Sequence, residues 1–166
     1  MERLAELLDS VNRRTGMIVR WLALVMVLVQ FTIVLLRYVF GFSSIALNES
    51  VLYLHAALFM LGAGFTLLVD GHVRVDIFHA RASARGKALI DLFGHLFMLL
   101  PSMAALFWFS LPSVINSWSI LEGAISVGGI PAVFALKTLI PAFCLLLILQ
   151  SVACVLHRLV ELRNRA

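Results

Sequence analysis

Four stretches of the chain are apolar at nearly every position: residues 18–40, 50–69, 88–111 and 131–156. The cleanest is bounded by Glu49 and Asp70, with twenty uncharged residues between them. At about 1.5 Å of rise per residue, a helix of that length crosses a hydrocarbon core of about 30 Å. The pattern therefore predicts an all-α integral membrane protein, a single four-span domain over residues 1–166. Ahead of the first span, Leu4, Leu7, Leu8 and Val11 recur at helical spacing among Glu2, Arg3, Glu6, Asp9 and Arg13. That spacing predicts an N-terminal amphipathic interfacial helix lying on the membrane surface, with a solvated tail as the alternative. The first apolar run is too long for a signal-peptide core and no small-x-small cleavage pattern follows it, so it is expected to stay as an anchor, and Arg13-Arg14 is not read as a twin-arginine signal. Pro101 interrupts the third run and predicts a kink there. Gly62 and Gly64 let another helix come close to the second.

Composition agrees with this picture. The chain is 62% apolar with a mean hydropathy of +1.03, where a soluble domain is about half apolar. Its formal charge of +4 is spread through the segments that flank the spans, which points to membrane topology and away from nucleic acid. Residues 1–20 hold four basic residues, the 70–87 connection four and the C-terminal tail three, eleven of the thirteen in all. The 41–49 and 112–130 links hold none. By the positive-inside rule both termini and the 70–87 connection are cytoplasmic, and the other two links face outward.

The remaining charges are the candidates for chemistry. Arg37 and Lys137 lie within the first and fourth runs, near their outward ends. Ionisable groups inside a span point to function by default, although both side chains are long enough to snorkel to the headgroups. Glu49 and Glu122 lie on the same side, which predicts the pairs Arg37 with Glu49 and Lys137 with Glu122. His55 and His95 sit at different depths, roughly 12 Å apart along the membrane normal, too far to share a haem iron. His95 is one turn from Asp91, which predicts a local hydrogen bond. Cys144 and Cys154 lie ten residues apart inside the last run and read as small apolar residues. No triad, phosphate loop, metal-ligand spacing or central carboxylate stands out, so no enzyme activity and no cofactor is expected of this chain.

The ordered motifs resemble the small membrane subunits, DctQ-like, of tripartite ATP-independent periplasmic (TRAP) transporters. They are Arg37-Tyr38-Val39-Phe40, Asn48-Glu49-Ser50, Gly62-Ala63-Gly64, His72-Val73-Arg74-Val75-Asp76, Asp91 with Gly94, Ser117-Trp118 through Glu122, Gly129-Ile130-Pro131, Lys137 and Pro141. The resemblance covers residues 18–156 and implies a bacterial inner-membrane protein. It implies a partner too: a large multi-span subunit that holds the substrate and sodium sites, fed by a periplasmic substrate-binding protein. The small subunit would act as a scaffold in sodium-driven uptake of a small organic acid, and the end at Arg165-Ala166 shortly after the fourth run leads to the expectation of a separate polypeptide. Under that resemblance Glu49, Trp118 and Glu122 are expected near the surface that receives the binding protein. His72, Arg74 and Asp76 are expected either to contact the large subunit or to cap the turn between spans two and three. Asn48, Arg37 and Lys137 complete the set of interface or structural candidates. Two rivals stay open on the residues alone: a stand-alone four-helix carrier, which needs a central ionisable group or polar cavity, and a cofactor-bearing membrane bundle.

Overall fold

Polar residues and tight turns end the helices. In the computed structural model, which describes residues 2–72 and 82–164, the elements are α1 (Glu2–Val39), α2 (Ile45–Leu68), α3 (Ala84–Phe93), a π-helical segment (Gly94–Leu99), α4 (Leu100–Ser119) and α5 (Val133–Asn164). Ser44 caps α2, its hydroxyl accepting the Leu47 N–H at 3.4 Å, and Ser83 caps α3 through the Gly86 N–H at 3.2 Å. These side chains satisfy backbone donors that a helix start leaves open. At the other end of α2 the chain turns through Asp70 at φ 56°, with Gly71 N–H donating to Thr66 O at 2.8 Å and Asp70 N–H to Leu67 O at 3.2 Å. That pair of bonds is the Schellman stop.

Four helical stretches are long and apolar enough to cross a membrane: Glu2–Val39, Ile45–Leu68, Arg85–Ser119 and Val133–Arg163. The third runs on through Pro112 to Ser119, which the apolar run alone places in the link. Its expected irregularity at Pro101 takes the form of the π-helical turns just before it, where the Leu100 N–H reaches back to His95 O. Proline offers no N–H of its own, so the ladder preceding it is free to widen.

Residues 2–15 correct the expectation of a separate surface helix. They are the first turns of α1, which continues unbroken into the span. The leucines that suggested an interfacial face, Leu4 and Leu7, stay exposed, whereas Ala5, Asn12, Gly16 and Val19 are buried. Small and polar residues make this helix pack, and the apolar ones are left for lipid or a partner.

The spans are arranged around α5. Among the described residues, α1 and α2 pack on each other and on α5, while α3, the π-helical segment and α4 meet no other span than α5. A third of the most apolar stretch of α5 (33%) is buried, against 6% or less in each other span. The largest fully buried side chains are Gln150, Asn12, Cys144, Ser117 and Ser151, so the most enclosed positions are mostly polar. Gln150 is the junction. Its Oε1 accepts Asn12 Nδ2 at 3.0 Å and its Nε2 donates to Asp9 Oδ1 at 2.8 Å. Asn12 Nδ2 also donates to Leu146 O at 3.1 Å, and Asp9 Oδ2 lies 2.9 Å from His157 Nε2. Gly64 of α2 closes over this group, where a Cβ would overlap the Asn12 side chain.

Replacing Gln150 by leucine keeps the volume and removes both amide bonds. Gln150→Leu is expected to lower the unfolding free energy in detergent by about 1–3 kcal/mol, because Asn12 and Asp9 lose a buried partner. An unfolding midpoint equal to that of the wild type would contradict this role.

Candidate functional site at the loop end of the bundle

The end of the bundle away from the chain termini gathers Glu49, Trp118, Glu122 and Lys137 around the connection between α4 and α5. Its geometry follows from how α4 stops. Leu121 takes a left-handed conformation at φ 44°, Leu121 N–H donates to Trp118 O at 3.2 Å and Glu122 N–H to Ser117 O at 2.9 Å. This second Schellman turn brings Glu122 back over the last turn of its own helix. There its Oε2 accepts the Ser117 hydroxyl at 2.5 Å and the Lys137 ammonium of α5 at 2.5 Å. The predicted Lys137–Glu122 pair is thus formed, each side chain one-third exposed (33%). The hydrogen bond from Lys137, with that from Ser117, holds the Glu122 carboxyl below its ordinary range and outweighs the desolvation that opposes it. One turn away, Trp118 Nε1 donates to Thr138 Oγ1 at 2.8 Å and its ring lies 4.6 Å from that of Phe134. Two adjacent contacts, one ionic and one aromatic, join the end of α4 to the start of α5.

Glu49 does not pair with Arg37. It is buried at 8% exposure, and its two oxygens accept backbone N–H groups of the connection, Ser126 at 3.1 Å and Ile130 at 2.8 Å. A carboxylate in such a place is satisfied by peptide donors that cannot move away, which is why the arginine is not needed. The Gly129 backbone lies against this carboxylate so closely that a Cβ would collide with it. Tyr53 adds a hydroxyl bond to Ile130 O at 3.4 Å. The first turns of α2 are therefore laced to residues 126–130. Arg37 stays exposed near the end of α1, and Asn48 donates to Ser44 O at 2.7 Å as part of the α2 start.

The segment held by these anchors is apolar at its surface. Ile120, Leu121 and Ile125 are exposed, and Val127 is 96% exposed. Both carboxylates are engaged in holding the loop, so the arrangement suits presentation of a contact surface more than acid–base chemistry.

Of the other predicted cluster, His72 lies at the terminal end. His72 is exposed and lines a mostly apolar cavity of about 640 Å³ bounded by α1, α2 and α5; Arg74 and Asp76 lie outside the described residues. Alongside Asp91 and His95, residues not singled out from sequence make the polar contacts here. Arg158 bridges Asp91 at 2.8 Å and Glu161 at 2.9 Å, His95 Nδ1 lies 3.1 Å from Ser151 Oγ, and Asp9 meets Gln150 and His157. The signal for this network was Gln150, an amide inside an otherwise apolar run. Among the described residues no group of three or more His, Cys, Asp or Glu side chains is placed to hold a metal ion.

A family model described as "Tripartite ATP-independent periplasmic transporters, DctQ component" matches residues 25–161. No curated protein and no solved structure matches the chain.

Because the Glu122 carboxyl titrates below its unfolded value, the stability it contributes is full above the ordinary carboxylate pKa of about 4.3 and is lost as pH falls through the lower folded value. Glu122→Gln is therefore expected to unfold at a lower temperature than wild type at pH 7, with the difference closing below about pH 4. A gap that persists unchanged to pH 3 would mean that the charge is not what the pair uses.

Proposed function

The chain belongs to the DctQ component family of tripartite ATP-independent periplasmic transporters, and on that premise we propose that it scaffolds a large multi-span transport subunit and helps receive a periplasmic substrate-binding protein. In this reading the cargo is a small organic acid and uptake runs on a sodium gradient. The substrate and sodium sites belong to the large subunit, and this chain needs no cofactor. It sits in the bacterial inner membrane with both termini cytoplasmic, so the loop end described above faces the periplasm. Glu49, Trp118, Glu122 and Lys137 then hold the 120–132 connection in the shape the binding protein meets, while Asn48 orders the start of α2.

The observation that carries the scaffold reading is the packing order. The α1–α2 pair and the α3–α4 arm meet α5 from different contacts and, among the described residues, do not meet each other. Such an array does not close around a central chamber, which a stand-alone carrier requires. Gln150 and Glu49 spend their polar atoms on Asn12, Asp9 and backbone N–H groups, which leaves them unsuited to a transported solute. What the array offers in quantity is apolar helix surface at membrane depth, the material of a helix–helix interface.

Purification from native membranes in mild detergent is expected to bring down a large multi-span subunit with this chain. Liposomes containing both are expected to accumulate a labelled small carboxylate only with an inward sodium gradient and the binding protein present. Recovery of this chain alone, together with transport by it alone, would overturn the scaffold reading.

A further inference from the structure

Gln30 sits in the middle of the first span. By helical rise it is about 18 Å from Ile18 and about 15 Å from Phe40, close to the centre of a hydrocarbon core of about 30 Å. Its side chain is exposed, and it makes no hydrogen bond to any described residue. Lipid tails offer an amide neither donor nor acceptor, so a bare glutamine at this depth is unfavourable for a helix that faces lipid. The protein treats the amide of Gln150, near the terminal end of the bundle, in the opposite way, burying it and bonding it to Asn12 and Asp9.

The surroundings of Gln30 add two points. Together with Met26, Val27, Phe31 and Val34 of α1 and Val51 of α2, it lines a shallow groove of about 430 Å³. Val27, Phe31 and Val34 are 61%, 64% and 43% exposed, and with Gln30 and Arg37 they form one stripe at helical spacing. Arg37 is exposed as well, and its predicted partner Glu49 is occupied by the backbone of the connection. Among the described residues the stripe thus carries an unmatched amide at mid-depth and an unmatched cation about 10 Å further toward the loop end.

We propose that this stripe of α1 is the surface on which the large subunit docks. The partner is a transmembrane helix that gives Gln30 a hydrogen-bonding side chain at mid-membrane and Arg37 a carboxylate about two turns away. Small apolar side chains of that helix occupy the groove between α1 and α2. The proposal rests on the scaffold reading given above and specifies which face serves it.

The test uses the intact complex in native membranes. The photo-crosslinking residue p-benzoylphenylalanine is placed at Val27 or Val34, and for comparison at Phe109, which is 80% exposed on α4. In parallel, Gln30→Leu is purified beside wild type. Adducts with the large subunit are expected from positions 27 and 34. Gln30→Leu is expected to keep its own unfolding temperature while recovering about threefold to tenfold less of the large subunit, the loss of one interhelical hydrogen bond. If wild type brings down the large subunit but positions 27 and 34 label only lipid or a second copy of this chain, the docking face is wrong and the scaffold reading survives. Equal recovery of the large subunit by wild type and Gln30→Leu likewise removes Gln30 from the interface. If wild type brings down no large subunit, the scaffold reading fails and this inference with it.

Discussion

An amide shut away between packed helices has no water to bond, and the fold of this chain depends on how it meets that constraint at Gln150. The side chain reaches Asn12 through its oxygen and Asp9 through its nitrogen, tying the first helix to the last. Between lipid-facing helices the hydrophobic effect that drives soluble folding is absent, because the tails are as apolar as leucine. Association must come from close packing and polar contacts. This explains why α1 buries Ala5, Asn12, Gly16 and Val19 and leaves Leu4 and Leu7 outside, and why Gly64 stands where only a bare backbone can approach Asn12.

The same logic repeats along α5. At the terminal end, Ser151 meets His95, and Arg158 meets Asp91 and Glu161. At the loop end, Lys137 and Thr138 meet Glu122 and Trp118. Each neighbouring arm is therefore attached to one central helix through polar groups at chosen depths. Glu49 extends the scheme by fastening α2 to the connection that precedes α5. The consequence is an open array with its specific contacts inside and broad apolar faces outside, the reverse of a soluble domain and fitted to sit beside a larger membrane protein.

Much of this was legible in the residues, for physical reasons that can be stated. The spans follow from run length, since membrane thickness sets how many apolar residues a helix needs. The pairing of Lys137 with Glu122 follows from two opposite charges that each need a partner near the same boundary. The pairing of Arg37 with Glu49 failed because peptide N–H groups are invisible in a sequence, and those of Ser126 and Ile130 reach the carboxylate once the connection folds. The N-terminal leucines misled because helical spacing marks an apolar face without saying whether that face meets headgroups, lipid tails or protein. The π-helical turns before Pro101 depend on how the whole arm lies on α5. Asp9, Asn12, Gln150 and His157 come together only through the antiparallel return of the chain, which no local pattern records.

The account stands most directly on one image: the structure of this chain within its native complex by electron cryomicroscopy. It predicts α5 enclosed by its own neighbours, with Gln150 between Asn12 and Asp9, and a helix of the large subunit against Gln30 on α1. Density in which the large subunit packs on α5, or in which the α1–α2 pair has closed onto α4 around a solute, would contradict it.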